Sequence, residues 1–133
     1  MRRGRASAVL GAALAFAGAA GAVPEPGEDY LLHCSGCHQQ SGAGVPDLVP
    51  SLSDLAPFLA TAEGRAYLVR VPGVAQAALD DDRLAALLNW VLREMSGMAP
   101  DPAYDAREVQ TLRRAPLRDA AGQRRAVLER GAR

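Results

Sequence analysis

Cys34-Ser35-Gly36-Cys37-His38 is the stretch on which the reading of this chain turns. Two thiols three positions apart lie about one helical turn from each other, on one face of a helix. From that face both can form thioether bonds to the vinyl groups of a single porphyrin. The histidine that follows is then held beneath the ring, where an imidazole nitrogen can reach the iron. This C-x-x-C-H run is the attachment signature of a c-type haem. Covalent anchoring also removes most of the entropy cost of placing the ligand.

Two rival chemistries use the same cysteine spacing. A zinc site needs four ligands. Beyond these three residues the chain offers only His33, and Cys34 and Cys37 are its only cysteines. His33 adjoins Cys34 and reads as a bystander on the same helix. A thioredoxin-type dithiol needs a βαβ setting, and nothing around the motif alternates like a strand. Haem attachment is the reading that uses all three residues.

Upstream, Pro24-Glu25-Pro26 leads into a helix expected from Gly27 to about Gln40. Glu28 and Asp29 sit near the positive end of its dipole. Downstream, residues 41–50 carry Gly42, Gly44, Pro46 and Pro50 and read as a loop. Val45, Leu48 and Val49 within it suit the edge of a buried haem. Ser53–Leu59 reads as a short turn around Pro57. Thr61 is an N-cap candidate for a helix ending near Val71, stopped by Pro72-Gly73. Asp80-Asp81-Asp82 opens the strongest helix, which ends at Ser96-Gly97. Leu84, Leu87, Leu88, Val91, Leu92 and Met95 form one apolar stripe along it, bordered by Trp90. No strand pattern and no internal repeat occurs, so the fold class is all-α.

At the start of the chain, Arg2, Arg3 and Arg5 precede the apolar run Ala8–Ala17 and the small residues Ala20-Gly21-Ala22. That is the pattern of a secretory signal peptide over residues 1–22. The apolar run is short of the ~20 residues that a membrane span needs, so no stable span is expected after cleavage. The expected compartment is periplasmic. The remaining 111 residues suffice for one small haem domain over 23–100 and a charged helical C-terminal extension over 101–133. Aromatics make up only 5% of the chain, so a porphyrin would supply much of the core. At ~25 cal/mol per Å² buried, it would be a leading stabilising term, and the haem-free chain is expected to fold poorly.

The net charge of zero hides an asymmetry. Residues 23–100 hold four arginines against ten acids, while residues 101–133 hold eight against five, and there is no lysine. The pattern predicts an acidic docking face, or a basic tail folded back on an acidic body. Nucleic-acid binding does not suit a net acidic exported protein. In the tail, Asp105 and Glu108 have capping-box spacing. They predict a helix stopped by Pro116, followed by an arginine-rich helical stretch over 119–130.

The order of helix with C-x-x-C-H, Gly/Pro loop, middle helix, Pro-Gly turn and aromatic-bearing last helix resembles a class I cytochrome c over about residues 26–96. The resemblance implies a cytochrome c-like helical fold around one haem c bound through Cys34 and Cys37, with His38 as the iron ligand. It implies that Tyr30 packs against Trp90, and that the small residue at their helix crossing falls at Pro26, with Gly27 one position later. It also implies a loop proline whose carbonyl receives the other ring N–H of His38. Pro46 is the first choice and Pro50 the second.

One departure bears on function. The family's sixth ligand is a methionine in the loop before the last helix, and here Pro72–Leu79 contains none. Met98 is the first alternative and Met95, on the apolar stripe, the second. An open iron site, or one closed by a side chain such as Val74, is preferred over either methionine. The expected function is a periplasmic monohaem electron carrier, passing single electrons among redox partners such as a dehydrogenase, oxidase or reductase, with no enzyme activity. The missing methionine favours the alternative of a haem-based small-ligand binding or sensing protein. The charged tail favours a cytochrome subunit of a larger oxidoreductase.

Overall fold

Helix α1 (Pro26–His33) starts on a proline at its first position, where the missing N–H would have no helical partner. The computed structural model describes residues 24–131; the signal-peptide reading of residues 1–22 lies outside them. The single helix expected over 27–40 is in fact two. Cys34 leaves helical geometry at φ −123°, although its N–H still donates to the Tyr30 carbonyl at 2.9 Å. Helix α2 (Ser35–His38) then restarts, and the chain turns out of it at Gln39 with φ 62°. Cys34 is therefore the joint between two short helices.

The next three helices are α3 (Ala56–Leu59), α4 (Ala62–Arg70) and α5 (Pro72–Ala75). The Thr61 hydroxyl caps α4 by accepting the Gly64 N–H at 3.0 Å. Pro57 lies in the first turn of α3, and Pro72 opens α5 after ending α4. A proline is tolerated at the start of a helix for the same reason that it stops one. Helix α6 (Asp81–Ser96) carries the expected signals at both ends. The Asp80 carboxylate accepts the Arg83 N–H at 2.8 Å, and Gly97 closes the helix in the left-handed region.

Helices α1 and α6 cross where side chains allow close approach. A Cβ on Gly27 would lie 3.3 Å from the Trp90 ring. The small residue of the crossing is thus Gly27 and not Pro26. One turn on, the Tyr30 and Trp90 rings pack with centroids 5.5 Å apart, tilted by 41°. Arg83 of α6 donates two hydrogen bonds to the carboxylate of Asp29, which is only 1% exposed. The stripe on α6 is buried from Leu84 to Leu92, with Met95 half-buried at its end.

The C-terminal segment folds back on this body. Tyr104, Val109 and Val127 are buried in the same core as Phe58, Tyr67 and Leu84. Asn89 both donates to and accepts from the Tyr104 backbone at 2.9 Å. Helix α7 (Ala106–Arg113) begins at the expected Asp105 cap. Its Glu108 takes a two-pronged ion pair from Arg65, and its Arg113 donates to the carbonyls of Ala75, Ala77 and Leu79. Helix α8 (Ala120–Gly131) lies against α3 and α4, with Arg130 paired to Glu63. Among the described residues there is no strand beyond an isolated bridge between Val45 and Val49, and no helix is long and apolar enough to cross a membrane.

Candidate haem site

The two cysteines and His38 share one wall of an apolar cavity of about 830 Å³. Volumes of this size hold cofactors and drug-sized ligands. The loop over 43–52 forms a second wall, α6 the floor through Leu84, Leu88 and Val91, and α4–α5 a third wall through Tyr67, Val71 and Val74. The loop residues Val45, Leu48 and Val49 all line it, as their apolar character predicts. Leu48 nevertheless stays 81% exposed at the rim.

The loop's backbone holds His38 in place. Gly44, at φ +70°, donates its N–H to the His38 carbonyl at 3.0 Å. Its own carbonyl accepts from the Gln39 side chain at 2.7 Å. A side chain at position 44 would collide with the Val49 carbonyl oxygen, so only glycine lets the two arms of the loop close. That closure brings the Pro50 carbonyl to 3.0 Å from His38 Nδ1. A carbonyl only accepts, so Nδ1 carries the proton and Nε2 is the nitrogen left for a metal. The acceptor is Pro50 and not Pro46. Chain distance favoured neither proline; the positive φ values at Gln39, Gly42, Gly44 and Asp47 decide which carbonyl folds back.

Burial lowers the His38 imidazole below its ordinary range, with the Pro50 hydrogen bond acting the other way. The neutral form that can bind a metal is thereby favoured. Burial, with Asp29 and then Cys37 adding, pushes the Cys34 thiol up to about 11. Tyr30 locks the turn beyond the motif, its hydroxyl donating to the Gln39 carbonyl at 2.6 Å. His33 is exposed and does not line the cavity.

Neither methionine reaches this cavity. Met95 packs behind the loop, its sulfur 3.0 Å from where a Cβ of Gly42 would lie. Met98 caps α6, its N–H donating to the Leu92 carbonyl at 2.8 Å. Val74 does line the cavity, and so does Arg124 from α8, a residue that no local sequence signal marked.

No family model matches the chain. A relative, cytochrome c-552 of Thermus thermophilus, is 32% identical over 112 residues, covering 65% of this chain and 83% of the relative. Cytochrome c-552 of a second Thermus thermophilus strain has the same identity, with 74% of that relative covered. This chain belongs to the c-type cytochromes. The cytochrome is all-α, and its cofactor is covalently bound haem c with its iron. Its cavity fits that group: apolar walls for the porphyrin faces, two thiols in one wall, and an imidazole already oriented beside them. Among the described residues, no cluster of three or more His, Cys, Asp or Glu could hold a metal unaided.

Proposed function

We propose that this cytochrome is an exported monohaem electron carrier, with the haem held by thioethers from Cys34 and Cys37 and the iron by His38 Nε2. In each thioether the S–H adds across a porphyrin vinyl group, so no other group leaves. The bound iron would supply a reversible one-electron couple. The protein residues tune it: Pro50 strengthens the donor character of His38 through Nδ1, and the apolar walls exclude water. The observation that carries this reading is the 3.0 Å contact by which the Pro50 carbonyl of the loop fixes His38 Nδ1, in the wall that holds both thiols, onto the loop. In this reading residues 1–22 are the export signal to the periplasm, residues 23–100 carry the haem, and residues 101–133 are an extension. Partners are redox proteins of the dehydrogenase, oxidase or reductase type. Protein-film voltammetry tests it: a reversible one-electron wave is expected, and multi-electron catalytic current without a partner would overturn it.

One observation favours a second reading, a small-ligand binding haem protein. Among the described residues, the cavity wall contains no methionine, and apart from His38 no histidine. The iron would then keep its sixth position for water or an incoming diatomic ligand. In the ferrous protein, carbon monoxide is expected to shift the haem spectrum at micromolar concentration. A far-red thioether band in the ferric protein, with no response to carbon monoxide, would exclude this reading.

A further inference from the structure

Among the described residues, one arginine lines the cavity, and it comes from the C-terminal extension. Arg124 of α8 lines the wall, its guanidinium carbon 5.0 Å from the centroid of the Phe58 ring. Phe58 is fully buried and stacks on Tyr67 at 5.0 Å, so the guanidinium rests on a rigid aromatic shelf. Four ion pairs occur among the described residues, and they use Arg65, Arg83, Arg113 and Arg130. Arg124 is in none of them. Among the described residues, the only acid lining the cavity is Asp47, on the exposed loop.

A cation facing an apolar cavity without a counter-charge is costly to hold there. Haem c brings two propionate carboxylates, and a guanidinium matches a carboxylate with two parallel N–H donors. We infer that Arg124 is the clamp for a haem carboxylate, which makes helix α8 of the extension part of the cofactor site. The inference rests on the haem-site reading above and adds to it a role for the extension. The phenol of Tyr67 beside it is neutral at physiological pH, because burial raises it above its ordinary value while the charge of Arg124 and a hydrogen bond from its guanidinium act the other way. It can donate to the same carboxylate without adding charge.

A fixed positive charge at a haem carboxylate has two electrical consequences. It keeps that carboxyl ionised at neutral pH, and it favours the ferrous over the ferric iron. Without it the carboxyl titrates within the neutral range and couples to the iron. The test is the midpoint potential against pH, by spectroelectrochemistry, for wild type, Arg124→Met, Arg124→Gln and Arg125→Gln. Methionine keeps the length of the stem over Phe58, so folding is preserved if glutamine is not tolerated. Arg125 is the exposed neighbour on the same helix. Expected is a lower potential for either Arg124 variant, with a pH slope between about pH 5 and 8 that wild type and Arg125→Gln lack. A potential and pH profile equal to wild type in both Arg124 variants would overturn the inference. So would a change confined to cyanide affinity, which would place Arg124 at the iron's sixth position. Absence of covalent haem in the wild type would instead refute the site reading beneath it.

Discussion

Gly44→Ala tests how the loop positions His38. The substitution meets two separate obstacles. At φ +70° an alanine incurs roughly 1–2 kcal/mol of left-handed strain. Its Cβ would also collide with the Val49 carbonyl oxygen and lie 2.7 Å from that of Pro50. Both are backbone atoms that cannot swing aside, so the loop must open at an overpacking cost of about 1–3 kcal/mol. Stiffening of the unfolded chain offsets about 0.5–1 kcal/mol of this. The net loss is about 1–4 kcal/mol, or roughly 10 °C in melting temperature for a domain of this size. Thermal unfolding followed by far-ultraviolet circular dichroism measures it. The same displacement pulls the Pro50 carbonyl from His38 Nδ1, weakens the imidazole as a donor and raises the midpoint potential. A variant that melts with wild type at an unchanged potential would refute the reasoning.

Further outcomes follow from other contacts. Tyr30→Phe removes the hydrogen bond to the Gln39 carbonyl and is expected to cost about 1 kcal/mol in urea unfolding, with the Trp90 packing retained. Asn89→Ala leaves both backbone groups of Tyr104 without their partner. It should cost about 2–3 kcal/mol and raise amide exchange in residues 104–113 before the rest of the chain. Met95→Ala and Met98→Ala are expected to leave the ferric haem spectrum unchanged, since neither side chain lines the cavity. Loss of a far-red band in either variant would show that a methionine does reach the iron.

What could be read from the sequence was local. The caps at Thr61, Asp80 and Asp105 and the stripe on α6 depend on neighbours within one or two turns, and each element formed at those signals. The Tyr30–Trp90 pair followed from the family resemblance, and its geometry bears this out. Three features lay outside that range. The break at Cys34 is invisible to periodicity, because residues on both sides stay helical. Choosing between Pro46 and Pro50 required knowing how a chain with four positive φ values between Gln39 and Asp47 folds back. The placement of Arg124 in the cavity wall depends on α8 packing against α3 and α4, across more than fifty residues of chain. Pro72 misled for a different reason: the property that ends α4 also starts α5. Asp29 does sit in the first turn of α1, as the dipole reading has it, but its burial and its pairing with Arg83, 54 positions away, have no local signal.

The central claim is that one haem is fixed to Cys34 and Cys37 with His38 on its iron. Mass spectrometry of the proteolytic peptide spanning residues 23–65 from the purified native protein tests the attachment directly. The account predicts a peptide heavier by one haem, with neither thiol open to alkylation and with fragment ions that place the added mass on both cysteines. An unmodified peptide in which Cys34 and Cys37 both alkylate, or a disulfide joining them, would contradict it.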